Sequence, residues 1–327
     1  MVVPGDGDPL SSGGTEGVRA DASAPGRRPE PAAGPGLPRD GNNDGVPAGI
    51  DLSLRPPRFP VSLEKWYIDV LLDDGTVCLV YIGTLVLCGK RFNRVTAELF
   101  RPGAATVRGS ARVGALVGGL GFLRSAAASI EGGRLRFKTD GLSGDLLYRP
   151  RSAPWRLAAP FLSVGRRALT WSVEIPDADV EGRLEWPGGS LEVRGRGYRD
   201  RVWFDLVPWR FPISRLAWGR AIAGPHAAVW TQATTARGVV AGAWMDGREV
   251  DFAQGAAVPV GIDLGPPRVI LDSDVADLEG LRLGLLRRPV GWLSGAPHET
   301  KWQAPCAIAD DPGVAIHEVV TWRAAGG

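Results

Sequence analysis

From residue 59 onward, apolar and polar positions alternate with a period near two, in runs of four to twelve residues broken by Gly, Pro, Asn and Asp. The first such run, "FPVSLEKWYIDVLL", leads through "DDG" into "TVCLVYIGTLVL". Two β-rich runs about a turn signal predict a β-hairpin. Further strand-like segments follow: "RVTAELFRPG", "GRLRFKTDG", "GDLLYRPR", "ALTWSVEIPDADVEGRLEWPGGSLEVRGRGYRD", "AAVWTQATTARGVVAGAWMDGREV", "RVILDSDVADLEGLRLGLLRR" and "VAIHEVVTWR". Few stretches sustain a helical period over three turns, so the expected class is all-β with antiparallel sheets. "SARVGALVGGLGFLRSAAASI" at 110–130 is read as a short helix or a covering loop, its glycines weighing against the helix.

Residues 1–57 lack this alternation. They hold ten of the 27 prolines and no aromatic residue, so they cannot bury enough surface to offset the entropy of ordering, and a disordered tail is expected. The remaining chain is expected to form two β domains, 58–180 and 181–327, which suits the total length of 327 residues.

Composition narrows the function classes. Net charge is +2, which offers no general field for nucleic acid or membrane surfaces. Of 38 basic residues, four are lysines (Lys65, Lys90, Lys138 and Lys301) and the rest are arginines, a bias that by itself requires no functional account. Cys78, Cys88 and Cys306 have neither disulfide-framework nor CxxC spacing, and a reducing, cytoplasmic setting is expected. No signal-peptide pattern opens the chain, and the apolar run at 77–88 is too short to span a bilayer. "GALVGGLG" lacks the GxGxxG order and any following Lys-Ser/Thr pair. His226, His298 and His317 lack metal-ligand spacing, and there is no GxSxG elbow. The expectation is therefore a protein without cofactor or metal. The 12 tryptophans suit the lining of a pocket as well as the filling of a core.

The densest chemistry lies in "RGRGYRDRVWFDLVPWR" at 194–210. On a strand, Tyr198 and Asp200 share one face, while Arg199, Arg201 and Trp203 share the other. Gly195 and Gly197 allow a bulge or a close backbone approach. If their face is buried, Tyr198 and Asp200 form a proton-donating pair, because desolvation keeps a carboxyl protonated. The alternative from the same residues is a surface ion-pair ladder, with Asp200 held by Arg199 or Arg201.

"EKWYID" at 64–69 with the "DDG" after it, "GLSGDLLYRP" at 141–150, "RGRGYRDRVW" at 194–203, "LAWGRA" at 216–221 and "GVAIHEVV" at 313–320 together resemble the carotenoid hydratase (hydroxyneurosporene synthase) family and its lipocalin-like relatives. The likeness spans roughly residues 60–322 and rests on the order and spacing of the motifs. It implies two consecutive lipocalin-like β-barrels whose cavities accept long apolar molecules; cofactor-free Diels-Alderase-type cyclases look like members of the same group. Where the hydratase pattern carries two histidines in the G-Y-x-D segment, this chain has Arg199 and Arg201. Without imidazoles to relay protons, hydration of an isolated alkene is disfavoured. A cyclisation or rearrangement asks only for a shaped pocket and a donor to a carbonyl. The resulting expectation is a cofactor-independent cyclase of polyenes or polyketides in secondary metabolism, with Tyr198 and Asp200 catalytic and Trp66, Trp203, Trp218, Arg220, Trp230 and Gln232 binding substrate. An anionic head group would meet the arginines around 194–220. The alternatives are a carotenoid or terpenoid hydratase using Asp200 as general acid, and a non-catalytic lipid or pigment carrier.

Overall fold

The computed structural model of the protein describes residues 50–157, 160–207, 212–252, 256–274 and 297–322. All of its regular structure there is β, arranged as two curled antiparallel sheets, one nearly a closed barrel and the other a half-barrel. Thirteen of the strands form the first sheet and eight the second. The disordered-tail expectation falls, up to residue 49, outside the described residues. From residue 50 the chain is packed: Ile50 and Leu52 are buried, and Asp51 forms a β-bridge with Leu120.

The hairpin at the start of the fold is as expected. Strands β1 (Val61–Leu72) and β2 (Val77–Leu87) pair from Val61↔Leu87 to Leu71↔Val77. Gly75 supplies the turn at φ 80°, a left-handed conformation open to glycine at little cost. β3 (Lys90–Phe100) and β4 (Val107–Val113) continue the meander. The 110–130 segment is neither helix nor covering loop. It completes β4 and then forms β5 (Leu116–Gly119), β6 (Phe122–Ser125) and β7 (Ala128–Glu131), leading to β8 (Arg134–Lys138) and β9 (Ser143–Pro150). Its glycines serve short strands and tight turns there, and Leu116, Leu123 and Ile130 bury into the barrel core, which a lone helix could not have filled from one face.

The longest strands make the join. β12 (Arg167–Trp186) and β13 (Gly189–Phe204) form a hairpin, and the far side of β13 pairs with β1, from Leu63↔Phe204 to Leu72↔Gly195. The short β10 (Trp155–Arg156) and β11 (Leu162–Val164) lie on β12. The first sheet therefore runs to residue 204, and a division at residue 180 would cut through β12. The second sheet begins at β14 (Ile213–Ala223) and continues through β15 (His226–Thr235), β16 (Gly238–Met245), β17 (Arg248–Glu249), β18 (Ile262–Leu264), β19 (Arg268–Asp274), β20 (His298–Ile308) and β21 (Asp311–Thr321). Much of the expected strand at 268–288 lies outside the described residues. Irregular register falls in β12, between Val173 and Ala178, rather than at Gly195 or Gly197. Those glycines instead serve close approach: a Cβ on Gly195 would collide with the Leu71 carbonyl, and one on Gly197 with Val180 and the Tyr148 ring.

Alternation along β1 divides the core. Trp66, Ile68 and Val70 point into the barrel and pack with Ile82, Val95, Leu99, Ile175 and Val193. Tyr67 and Leu71 point outward and join Trp171, Tyr198, Trp218, Val229 and Ile316 in a second cluster between the two sheets. Each such large apolar side chain contributes about 1.5–3 kcal/mol on burial. A buried ion pair crosses the same seam: Arg220 of β14 reaches Asp69 of β1, with Nη2 2.5 Å from Oδ1. All three cysteines are free, and among the described residues no helix is long and apolar enough to cross a membrane.

Candidate functional site

Where the outer face of the first sheet meets the second sheet, a cavity of about 270 Å³ remains unfilled. One wall is Leu63, Lys65 and Tyr67 of β1, Tyr81 of β2, Leu169 and Trp171 of β12, and Asp200, Val202 and Phe204 of β13. The other is Leu216 and Trp218 of β14, Thr231 of β15, Glu299 of β20, and Glu318 and Val320 of β21. The space thus lies between the two sheets, not inside a barrel as the family resemblance implied. The inner face of the first sheet carries its own apolar cluster and the buried Arg199–Glu174 and Arg201–Glu64 pairs.

Asp200 is the carboxyl of the first wall. Tyr198 precedes it by two residues on the same face of β13 and donates its hydroxyl to Asp200 Oδ2 at 2.8 Å; Trp171 Nε1 donates to the same oxygen, also at 2.8 Å. Oδ1, equally buried, has no protein partner. Desolvation pushes the Asp200 carboxyl up to about 7, against the lowering effect of the Trp171 and Tyr198 bonds. Because both donors engage Oδ2, the proton of the neutral acid resides on Oδ1. Burial, followed by the proximity of Asp200, raises Tyr198 well above the ordinary phenol range, so it stays a donor.

The second sheet contributes a cation held among rings. Lys301 of β20 is fully buried and lies 4.7 Å from the Tyr67 ring centroid, 5.6 Å from that of Tyr81 and 5.7 Å from that of Trp218. Its Nζ donates to Tyr81 Oη at 3.0 Å and to Glu318 Oε2 at 2.5 Å, and stands 3.5 Å from Glu299 Oε1. Burial opposes the charge, but Glu318 foremost outweighs it and the ammonium is kept protonated. Burial and the neighbouring Glu318 push Glu299 up to about 7. Tyr67, Tyr198 and Trp218 pack edge-on or tilted, with centroids 4.8–5.9 Å apart, and make a rigid aromatic floor.

Of the residues proposed from sequence, the structure brings Tyr198, Asp200 and Trp218 to this cavity: Asp200 and Trp218 line it and Tyr198 stands behind Asp200. It places the others elsewhere. Trp66 lies one position out of phase, inside the barrel, donating to Glu174 at 3.3 Å. Trp203 sits on the far face of β13 against Arg55, whose guanidinium is 5.0 Å from the ring centroid. Arg220 is committed to Asp69 in the seam. Trp230 is buried in a separate cluster of the second sheet, stacked on His317, and Gln232 donates to the Ala256 carbonyl at 3.3 Å. The ion-pair alternative for Asp200 also fails. Arg199 binds Glu174 at 2.7 Å and Arg201 binds Glu64, both inside the barrel. Among the described residues, no arginine of 194–220 lines the cavity to receive an anionic head group: Arg196 pairs with Asp177, and Arg220 with Asp69.

Lys65, Tyr67, Tyr81, Trp171, Glu299, Lys301 and Glu318 were not singled out from the sequence. A signal was present, since two of the four lysines and three of the four tyrosines of the chain meet at this site.

No family model and no curated protein sequence matches the chain. Among solved structures, it is similar to CghA in its crystal structure with Sch210972, with a TM-score of 0.57 and 13% identity over 88% of this chain and 98% of that one. It is also similar to an AttH-like protein from Nitrosomonas europaea, with a TM-score of 0.53 and 12% identity over 86% and 99% of the two chains. This chain has their fold. The shared architecture is the pair of lipocalin-like sheets described above, and at this identity the likeness reaches the fold and not the residues of the site.

Proposed function

We propose that the protein is a cofactor-independent enzyme that folds an apolar polyene or polyketide into the cavity between its sheets and cyclises or rearranges it, with Asp200 as the acid. The observation that carries this reading is the asymmetry of Asp200. Two protein donors occupy Oδ2, while the buried Oδ1 has no protein partner on a carboxyl that lines an apolar cavity of about 270 Å³. A neutral acid so placed donates to a carbonyl or a polarised double bond of a bound molecule, and a preorganised donor in a dry site is worth about 10²–10³ in rate. The walls Leu63, Leu169, Val202, Phe204, Leu216, Trp218 and Val320 favour an apolar chain and hold it in one conformer. That CghA, with the same fold, is crystallised with the small molecule Sch210972 is consistent with this use of the scaffold.

The test is a high-resolution mass spectrum of extract from a strain lacking the protein, before and after incubation with the purified protein. A product isobaric with its precursor, with altered retention and ultraviolet absorption, is expected. A gain of one water would identify a hydratase, and a molecule bound but returned unchanged would identify a carrier. Asp200→Asn sharpens the role of the acid. The amide nitrogen in the Oδ1 position still donates a hydrogen bond but transfers no proton, so partial activity means polarisation and loss of turnover means protonation.

A further inference from the structure

Next to the apolar cavity lies a second one of about 320 Å³, walled by polar side chains that include Arg94, Thr96, Glu98, Ser110, Asp140 and Ser273. Lys65, Tyr81 and Glu299 line both spaces, so Glu299 is the carboxyl at their junction. Its Oε1 is buried and accepts no hydrogen bond; Lys301 Nζ stands 3.5 Å away and is engaged by Glu318 and Tyr81. Two carboxyls, each with one buried oxygen that accepts no hydrogen bond, therefore line one apolar cavity from different sheets, Asp200 on β13 and Glu299 on β20. Only Glu299 also fronts the polar space.

We propose that Glu299 is the second proton-handling residue of the site. This rests on the enzymatic reading above and deepens it: the substrate is an apolar polyene bearing a carbonyl with an adjacent acidic C–H. Glu299 Oε1 takes the proton from that carbon, and the C–H electron pair becomes part of a new double bond. The conjugated system shifts, and its far carbon takes the proton of Asp200 Oδ1–H. One hydrogen has moved within the substrate's formula, and no oxidant, reductant or added atom is needed. Glu299 then returns its proton to solvent by way of the polar cavity, and Asp200 is reprotonated. The two carboxyls differ in environment, Asp200 taking neutral donors on Oδ2 and Glu299 standing 3.5 Å from the Lys301 ammonium, and such a transfer uses one of them as the acid and the other as the base.

The groups facing Glu299 are Lys301 on its own strand, Glu318 of β21, Lys65 of β1, Tyr81 of β2 and Glu98 of β3. The test has two readouts on the full chain. In the first, carbon NMR follows protein labelled with ¹³C at the Asp and Glu carboxyls as pH is varied, with and without 1-dodecanol as an apolar filler of the cavity. Two carboxyls are expected to titrate near neutrality, one missing in Glu299→Gln and the other in Asp200→Asn, with dodecanol moving both midpoints. A Glu299 resonance indifferent to dodecanol would overturn the assignment. In the second, the precursor-containing extract is turned over in heavy water. The isobaric product is expected to carry one carbon-bound deuterium, and Glu299→Gln to lose at least about 100-fold in rate together with one limb of the pH profile. Glu299→Asp should recover part of it. An isobaric product without carbon-bound deuterium, made at full rate by Glu299→Gln, would overturn the relay and leave the cyclase reading standing. A product heavier by one water would overturn the cyclase reading itself.

Discussion

Replacing Asp200 by Asn should make the protein more stable, and increasingly so as pH rises. Asp200 is fully buried, and its carboxyl is raised from an ordinary 3.8 to about 7 because the anion is desolvated. The folded state therefore holds a proton that the unfolded state releases between those two values. Stability conferred by the neutral acid is complete below pH 3.8 and is lost progressively as pH climbs through 7. A rise of about three units corresponds to about 4 kcal/mol, the cost of keeping the site folded with the charge in place. Asn is isosteric and cannot ionise. Its amide oxygen takes the Oδ2 position and keeps the bonds from Tyr198 and Trp171, and its nitrogen faces the cavity where Oδ1 had no partner. Urea unfolding of wild type and Asp200→Asn at intervals from about pH 4 to pH 8.5 is the assay. The two should be nearly equal in acid, with the variant ahead by up to about 4 kcal/mol at the alkaline end. Curves that stay parallel, or a variant that falls behind as pH rises, would refute the argument that Asp200 is buried and protonated. Glu299 gives wild type a pH slope of the same sign, but that slope is common to both proteins and cancels in the difference.

Other outcomes follow from the same geometry. Arg220→Met takes from the buried Asp69 its ion-pair partner and should cost about 3–5 kcal/mol in urea unfolding, most of it recovered by the Asp69→Leu/Arg220→Met double variant. No recovery would mean that the Arg220 stem, not its charge, holds the seam. Trp171→Phe removes a donor that favours the Asp200 anion, so the midpoint of Asp200, followed by carboxyl NMR, should move further above 7; a downward move would contradict the assigned bond. Gly219→Ala would press a methyl against the Trp230 ring and should destabilise by about 1–3 kcal/mol, with Trp230→Leu in the same chain relieving most of that loss.

Alternation made several features readable along the chain. The β1–β2 hairpin, the all-β class and the shared face of Tyr198 and Asp200 all follow from the two-residue period of a strand, which is a local property. Arg199 and Arg201 are held by Glu174 and Glu64 inside the barrel, not by Asp200 in a surface ladder. What alternation does not supply is which face meets what. Trp66 and Tyr67 are neighbours on β1, and only the docking of the second sheet onto the outer face decides that Tyr67 lines the cavity while Trp66 fills the barrel. The same docking turned Arg220 from a substrate donor into an interior clamp.

By itself, then, the sequence determined strands, turns and the pairing of residues two apart, because those depend on backbone geometry and short-range sterics. The cavity and its second carboxyl belong to tertiary structure alone. Lys65 and Tyr81 come from the first hairpin and Glu299, Lys301 and Glu318 from the last one, more than 200 residues later, and they meet because Arg220 and the aromatic cluster hold one sheet against the other. The raised pKa of Asp200 has the same origin, since the second sheet removes from water a carboxyl that the first sheet alone would leave on its outer face.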